Sequence, residues 1–193
     1  MTSTTAALDY SDVREKLQDR SVALVGLMGA GKTTVGRRLA ALLGLPFSDS
    51  DQEIEQVSRM SIPELFEAYG EPEFRALEAR VVSRLVQEGP RVLGTGGGAY
   101  LNPETRSHLK DHAVTLWLKA DLDTLMARVM KRNNRPLLKT GDPRKIMSKL
   151  MGERYPVYGS ADIIIQSRDV KREVIAAEAA EAIRAYLCRR DPS

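Results

Sequence analysis

An eight-residue phosphate-binding motif constrains the fold of this chain more than any other sequence feature. Residues 26–33 read Gly-Leu-Met-Gly-Ala-Gly-Lys-Thr and satisfy the pattern G-x-x-x-x-G-K-[S/T]. The apolar run 22–25 precedes the motif, and a helical pattern at 32–43 follows it. Glycines let the backbone turn with its N–H groups aimed inward, and a helix N-terminus adds partial positive charge. The motif therefore predicts a triphosphate site in an α/β fold.

The motif also suggests roles for its side chains. Lys32 can reach the β- and γ-phosphates, and the Thr33 hydroxyl can ligate magnesium. We therefore expect a bound nucleotide to be held by Gly29, Ala30, Gly31, Lys32, Thr33 and Thr34.

Strand and helix patterns alternate along the whole chain. Apolar segments lie at 22–25, just before Asp49, and at 91–93, 114–118 and 162–165, with helical patterns between them. This order predicts a three-layer α/β/α fold around a central five-stranded, mostly parallel sheet. We expect a polar extension at 1–19, with a short helix capped by Ser11, and a single domain at 20–190. The polar, basic segment at about 131–142 is typical of a mobile lid.

Composition limits the other classes of function. The 193 residues carry a net charge of +3 without a dense basic run, which argues against a nucleic-acid partner. Residues 1–10 lack the features of a signal peptide, and no apolar run has membrane-spanning length. We expect a cytoplasmic protein without a membrane partner. We also expect a monomer, although no sequence feature determines the oligomeric state.

Three further side chains have simple interpretations. Cys188 is the single cysteine, and we expect a buried or half-buried inert thiol. His108 and His112 have metal-ligand spacing but no third ligand, so we expect no metal there. Trp117 lies in an apolar run and should belong to the core.

A pair of acids follows the second short strand. The strand at 91–93 ends without the aspartate that usually completes a magnesium site, and Asp49 and Asp51 are the nearest candidates. They lie at the carboxyl edge of the sheet, where ligands gather in open α/β folds. One acid could serve the metal and the other a substrate hydroxyl. Alternatively, the pair is a solvated turn that caps the next helix.

Taken together, the ordered motifs of residues 22–187 resemble the shikimate kinase family, within the nucleoside-monophosphate-kinase-like branch of phosphate-loop folds. The motifs are GLMGAGKT, DSD at 49–51, GEPEFR ending at Arg75, GGG at 96–98, RPLL from Arg135 and RYPVY from Arg154. The segment after Ile165 lacks the proline often found there in this family.

The resemblance implies transfer of the ATP γ-phosphoryl group to the 3-hydroxyl of shikimate, with Mg²⁺ as cofactor, in the biosynthesis of chorismate and the aromatic amino acids. It implies that Asp51 orients or deprotonates the acceptor hydroxyl and that Asp49 holds the metal beside Thr33. It also implies that Arg75 and Arg154 bind the shikimate carboxylate, with backbone N–H groups of Gly97 and Gly98 nearby. It implies that Arg135 contacts the phosphates from the lid and that Arg128 stacks on adenine.

Several of these residues also have plainer interpretations. Arg75 could be a surface residue paired with Glu71 or Glu78, Arg154 could end a helix, and Arg135 could be a loop cation. The glycine triplet could be only a tight turn. At the level of function, the alternatives are a kinase for gluconate or a nucleoside monophosphate, and a nucleotide-dependent switch without chemistry.

Overall fold

A five-stranded parallel sheet forms the centre of the protein, as the sequence predicted. The computed structural model describes residues 9–131 and 141–190. The sheet has the order β2-β3-β1-β4-β5, and every adjacent pair is parallel. The strands are β1 (Ser21–Val25), β2 (Phe47–Asp49), β3 (Val92–Gly94), β4 (Ala113–Lys119) and β5 (Ile163–Gln166).

Helices cover both faces of this sheet. All five residues of β1 are buried, which requires side chains packed above and below the strand. The helices of the described ranges are α1 (Ser11–Leu17), α2 (Lys32–Leu43), α3 (Ser50–Ser58), α4 (Ile62–Gln87), α5 (Pro103–His112), α6 (Leu122–Met130), α7 (Pro143–Tyr158) and α8 (Arg172–Arg190). None of them is both long and apolar enough to span a membrane.

The predicted helix boundaries are largely confirmed. Ser61 forms a capping box with Glu64 at the start of α4, and Asp121 caps α6. Two helices are longer than expected. The predicted helix at 73–87 is the second part of α4, which continues across a kink at Gly70, and α7 extends to Tyr158 and so encloses Arg154.

The extension before β1 packs on the domain from residue 9 onward. Val13 and Leu17 of α1 are buried against the core. Asp12 pairs with Arg184 of α8 at 2.9 Å, and the guanidinium lies 4.6 Å from the centre of the Tyr10 ring. The prediction that Ser11 caps this helix was wrong: Ser11 is the first helical residue, and its N–H donates to Asp9 Oδ1.

Trp117 is buried as expected, whereas the prediction for Cys188 was wrong. The last turns of α8 present the Cys188 thiol to solvent, where it accepts a hydrogen bond from Lys16 Nζ at 3.1 Å. Helical periodicity did not place this thiol, because only Leu187 of the last turn faces the core.

Gly36 lets helix α2 approach the sheet closely. An ideal Cβ on Gly36 would lie 2.5 Å from Phe47 Cε2 and 2.9 Å from Leu24 Cδ1. We expect Gly36→Ala to lower the free energy of unfolding by about 1–3 kcal/mol, because an overpacked core must shift buried groups. Thermal denaturation would measure this loss.

Gly152→Ala is the matched control for that variant. Gly152 also lies inside a helix, but a Cβ there would meet nothing within 4 Å. It should therefore gain stability through the better helix propensity of alanine. Equal melting temperatures for the two variants would contradict the close contact at Gly36.

Candidate active site

The phosphate motif forms the turn between β1 and α2. Gly29 and Gly31 have φ angles of 82° and 99°, which other residues rarely adopt. Lys32 Nζ bends back over the turn and donates to Gly26 O at 2.6 Å and to Leu27 O at 3.0 Å. The turn thus places a cation and a helix N-terminus at the carboxyl edge of the central strand, as a triphosphate requires.

Asp49 connects this turn to the next strand. Its Oδ1 caps α3 by accepting from the N–H groups of Asp51 and Gln52 at 3.0 and 3.3 Å. Its Oδ2 accepts from Thr33 Oγ1 at 2.9 Å. Asp49 is therefore a helix cap through one oxygen, while the other faces the Thr33 hydroxyl. This pair of hard oxygen donors fits a magnesium ion that keeps several waters.

Asp51 lies deeper, beside a second carboxylate. An ideal Cβ on Gly96 would lie 2.7 Å from Asp51 Oδ1 and 2.8 Å from Glu78 Oε1, so both acids approach the same backbone. Burial and the neighbouring Asp49 raise the pKa of Asp51, while Lys32 opposes them. Burial likewise raises the pKa of Glu78, against the effect of Arg75.

Arg75 is held by carboxylates on its own helix. Its Nη1 donates to Glu78 at 2.7 Å, and its Nη2 donates to Glu71 at 3.4 Å. The plainer interpretation of Arg75 foresaw both partners but placed them on the surface. The Glu78 side chain is in fact only 3% exposed and the Arg75 side chain 26%, so this pair points into the protein.

Arg154 reaches the same region from α7. Its Nη1 lies 3.1 Å from the position of an ideal Cβ on Gly97. The buried Tyr158 hydroxyl donates to Gly97 O. Burial raises the pKa of this hydroxyl, and the charge and hydrogen bond of Arg154 oppose that rise. Tyr158 thus connects the helix that carries Arg154 to the glycine segment.

The two acids and the two arginines all approach the glycine triplet at residues 96–98. Gly96 contacts the two acids, Gly97 approaches Arg154, and a Cβ on Gly98 would collide with the Arg75 guanidinium. A side chain at any of the three positions would therefore enter space that a charged group occupies. The structure thus brings together Asp51, Arg75, Arg154, Gly97 and Gly98, which the family resemblance had assigned to one pocket.

Arg128 lies on the opposite side of the phosphate turn. Its Nη1 donates to Gly29 O, Ala30 O and Ser167 Oγ at 3.1, 3.4 and 2.8 Å, and its Nη2 donates to Arg168 O at 2.8 Å. The guanidinium thus ties the turn to the segment after β5. Both Nη groups thus have protein acceptors, which fixes the orientation of the guanidinium plane.

Sequence reasoning placed most of these residues but missed two. Glu78 was considered only as a surface partner of Arg75, and Tyr158 was seen only as the end of the RYPVY motif. Both lie at helical spacing from an arginine of the site, three residues after Arg75 and four after Arg154, and that spacing was the available signal. Thr34 lies in the first turn of α2. Arg135 and most of the predicted lid lie outside the described residues.

Comparison with known proteins supports one family. The family model described as shikimate kinase matches residues 28–184. A curated shikimate kinase of Mesorhizobium japonicum is 59% identical over 174 residues, which is 90% of this chain and 84% of that protein. A shikimate kinase of Brucella canis is 57% identical over 91% of this chain and 88% of its own.

Solved structures agree with the sequence matches. A shikimate kinase from Acinetobacter baumannii in complex with shikimate superposes with a TM-score of 0.84 at 36% identity, over 90% of this chain and 97% of that chain. A shikimate kinase from Aquifex aeolicus has a TM-score of 0.72 at 31% identity, over 86% and 96%. A gluconokinase from Sinorhizobium meliloti, at 18% identity and a TM-score of 0.55, shares the fold alone.

Proposed function

Since this chain belongs to the shikimate kinase family, we propose that it transfers the γ-phosphoryl group of ATP to the 3-hydroxyl of shikimate, in the biosynthesis of chorismate and the aromatic amino acids. One observation carries the choice of acceptor. A half-buried acid and two arginines converge on the glycine triplet, and the charge of Lys32 in the phosphate turn acts on that acid. This arrangement suits a small molecule with hydroxyl groups at one end and a carboxylate at the other.

The two arginines bind the acceptor carboxylate. A guanidinium presents paired N–H donors that match a carboxylate, and Glu78 orients one of them. Gly97 and Gly98 offer backbone N–H groups at the same place. Two cations from different helices, α4 and α7, fix the ring of the acceptor in position and in rotation, which is the main requirement for phosphoryl transfer.

Asp51 handles the proton of the acceptor hydroxyl. In its ionised form it accepts a hydrogen bond from the attacking hydroxyl and takes the proton as the new P–O bond forms; the bond to the β-phosphate oxygen breaks and ADP leaves. Because burial raises its pKa, Asp51 is a stronger base than an exposed aspartate. The positive charge of Lys32 opposes that rise in the pKa of Asp51.

The phosphate turn binds ATP. Inward N–H groups and Lys32 neutralise the β- and γ-phosphates, so Lys32 must exchange its bonds to Gly26 O and Leu27 O for phosphate oxygens. The planar face of Arg128 remains available for stacking on adenine. We place Arg135, from the RPLL motif, over the phosphates when ATP is bound, and we expect the lid to exclude water.

Magnesium belongs to the proposal through Thr33 and Asp49. The ion, when bound with ATP, neutralises charge on the phosphate oxygens. The Thr33 hydroxyl would be a direct ligand, and Asp49 Oδ2 would accept from a metal-bound water. Asp49 can do so while it caps α3, because its two oxygens point to different partners.

We expect Asp49→Asn to raise the magnesium concentration needed for half-maximal activity by about tenfold, because the carboxylate that would accept from a water on the metal becomes a neutral amide. The Asn side chain still caps the helix, so the melting temperature should change little. Magnesium titrations of the initial rate at saturating ATP and shikimate measure the effect. An unchanged magnesium requirement would remove Asp49 from the metal site.

A coupled assay of ADP release with shikimate, quinate, gluconate and AMP as acceptors tests the proposed function. We expect kcat/KM to be highest for shikimate and far lower for gluconate and AMP, because a carboxylated cyclic polyol can contact both arginines and Asp51 at once. Comparable turnover of gluconate or AMP would exclude the proposed acceptor, and ATP binding without transfer would favour a nucleotide switch.

We further propose that the protein is a cytoplasmic monomer. Light scattering of the protein in solution would measure its mass and so test the monomer.

A further inference from the structure

Arg172 lies beside the phosphate turn but has no role in the site described so far. It is the first residue of α8 and is half-buried. Its Nε lies 3.9 Å from the position of an ideal Cβ on Gly31, which is the N-cap residue of α2. Its guanidinium thus lies next to the backbone that opens the phosphate-binding helix.

Within residues 9–131 and 141–190, the Arg172 side chain makes no hydrogen bond and no ion pair, so no acid neutralises its guanidinium there. The carboxylates closest to Arg172 along α8 form ion pairs with other arginines. Glu173 pairs with Arg38, and Glu178 pairs with Arg168 at 2.5 Å. A half-buried arginine without a partner retains all its N–H donors for a ligand.

Arg172 also lies close to a second arginine. After burial, the charge of Arg172 is the next cause that lowers the pKa of Arg128. Both Nη groups of Arg128 donate to backbone carbonyls or to Ser167, which leaves fewer of its in-plane donors for an anion than Arg172 has. Asp169 and Asp121 offset part of the repulsion between these two guanidinium groups at Arg128, and an anion bound beside Arg172 would relieve it further.

We propose that Arg172 is a nucleotide-binding residue that donates hydrogen bonds to the phosphate chain of the nucleotide, on the side of the phosphate turn away from Lys32. The inference rests on the nucleotide site of the proposed function. The two arginines then divide the work: Arg128 contacts the base through its face, and Arg172 contacts the phosphates through its edge. The segment 166–171 leads directly into Arg172 and holds it at the turn through Ser167, whose hydroxyl donates to Ala30 O at 2.6 Å.

The test compares Arg172→Ala with Lys171→Ala, a matched loss of one positive charge at the adjacent, exposed position. Calorimetric titrations would measure binding of ADP, inorganic pyrophosphate and adenosine to each full-length protein. We expect Arg172→Ala to weaken ADP and pyrophosphate about tenfold or more, as for hydrogen bonds to charged groups. Adenosine binding and the KM for shikimate should stay unchanged, and Lys171→Ala should resemble the wild type.

Folding does not confuse this comparison, because Arg172 has no partner in the described residues and its loss should leave the melting temperature unchanged. Unchanged pyrophosphate binding in Arg172→Ala would overturn the inference, as would equal losses in both variants, which indicate a general charge effect. Failure of the wild-type protein to bind ADP would instead contradict the proposed function itself. The two failures are therefore distinguishable.

Discussion

Replacing Asp51 by Asn should lower kcat by about 10²- to 10⁴-fold, the usual contribution of a positioned general base. The substitution keeps the shape of the side chain, so it preserves the close contact with Gly96. It removes only the charge that we propose accepts the hydroxyl proton. Steady-state kinetics with shikimate would measure the loss, and calorimetry should show ADP binding nearly as tight as in the wild type.

Stability and pH provide independent checks on Asp51. Because burial raises its pKa in the folded protein, stability from this group is lost as the pH rises through the folded pKa, and the ionised form destabilises the fold at neutral pH. The neutral Asn should therefore melt at the same or a higher temperature. In the wild type, kcat/KM should fall with acid already above the pH range of an ordinary aspartate. Unchanged turnover of Asp51→Asn would exclude the acid from the mechanism.

Arg75→Ala should raise the KM for shikimate about 30-fold or more while the KM for ATP changes little. Truncating one member of a buried, hydrogen-bonded charge pair typically removes 2–5 kcal/mol of binding free energy. Here it removes the proposed contact to the acceptor carboxylate and leaves Glu78 buried without its partner. Initial rates with each substrate varied in turn would separate the two Michaelis constants.

Arg84→Ala is the matched control for this arginine. Arg84 lies on the same helix and also bridges two carboxylates, Glu53 and Glu88, but it is 43% exposed. Its loss should leave both Michaelis constants unchanged. If Arg75→Ala raised the KM for ATP as much as that for shikimate, Arg75 would be a structural residue of α4 rather than an acceptor contact.

The acid and arginine predictions show where sequence reasoning reached its limit. The phosphate motif could be read directly because it is local: eight consecutive residues determine the turn, the helix start and the position of Lys32. The order of strands and helices could also be predicted from the sequence, because strands that are buried on both faces appear as short apolar runs. The prediction for Cys188 was wrong because a shift of one residue along a helix decides whether a side chain is buried or exposed. The prediction for Ser11 was wrong because the helix begins one residue earlier than expected.

Glu78 shows the opposite case. At three residues from Arg75 it is an ordinary helical ion pair by sequence, and spacing alone does not reveal whether such a pair faces solvent or the interior. The approach of Gly96, which comes from a different strand-to-helix segment, makes this carboxylate part of the site. The same holds for Arg172, which tertiary packing brings to Gly31 from the far end of the chain.

The sequence by itself determined the α/β architecture and the phosphate turn, because hydrophobic periodicity and short motifs act over neighbouring residues. The residues of the proposed acceptor pocket followed from the resemblance of the ordered motifs to the shikimate kinase family. Only the tertiary structure decided which charges meet. Asp51, Arg75 and Arg154 come from three helices, and the absence of side chains on three consecutive glycines allows them to converge. Burial then follows from that convergence, and with it the raised pKa of Asp51, because desolvation depends on all neighbours in space and not on neighbours in sequence.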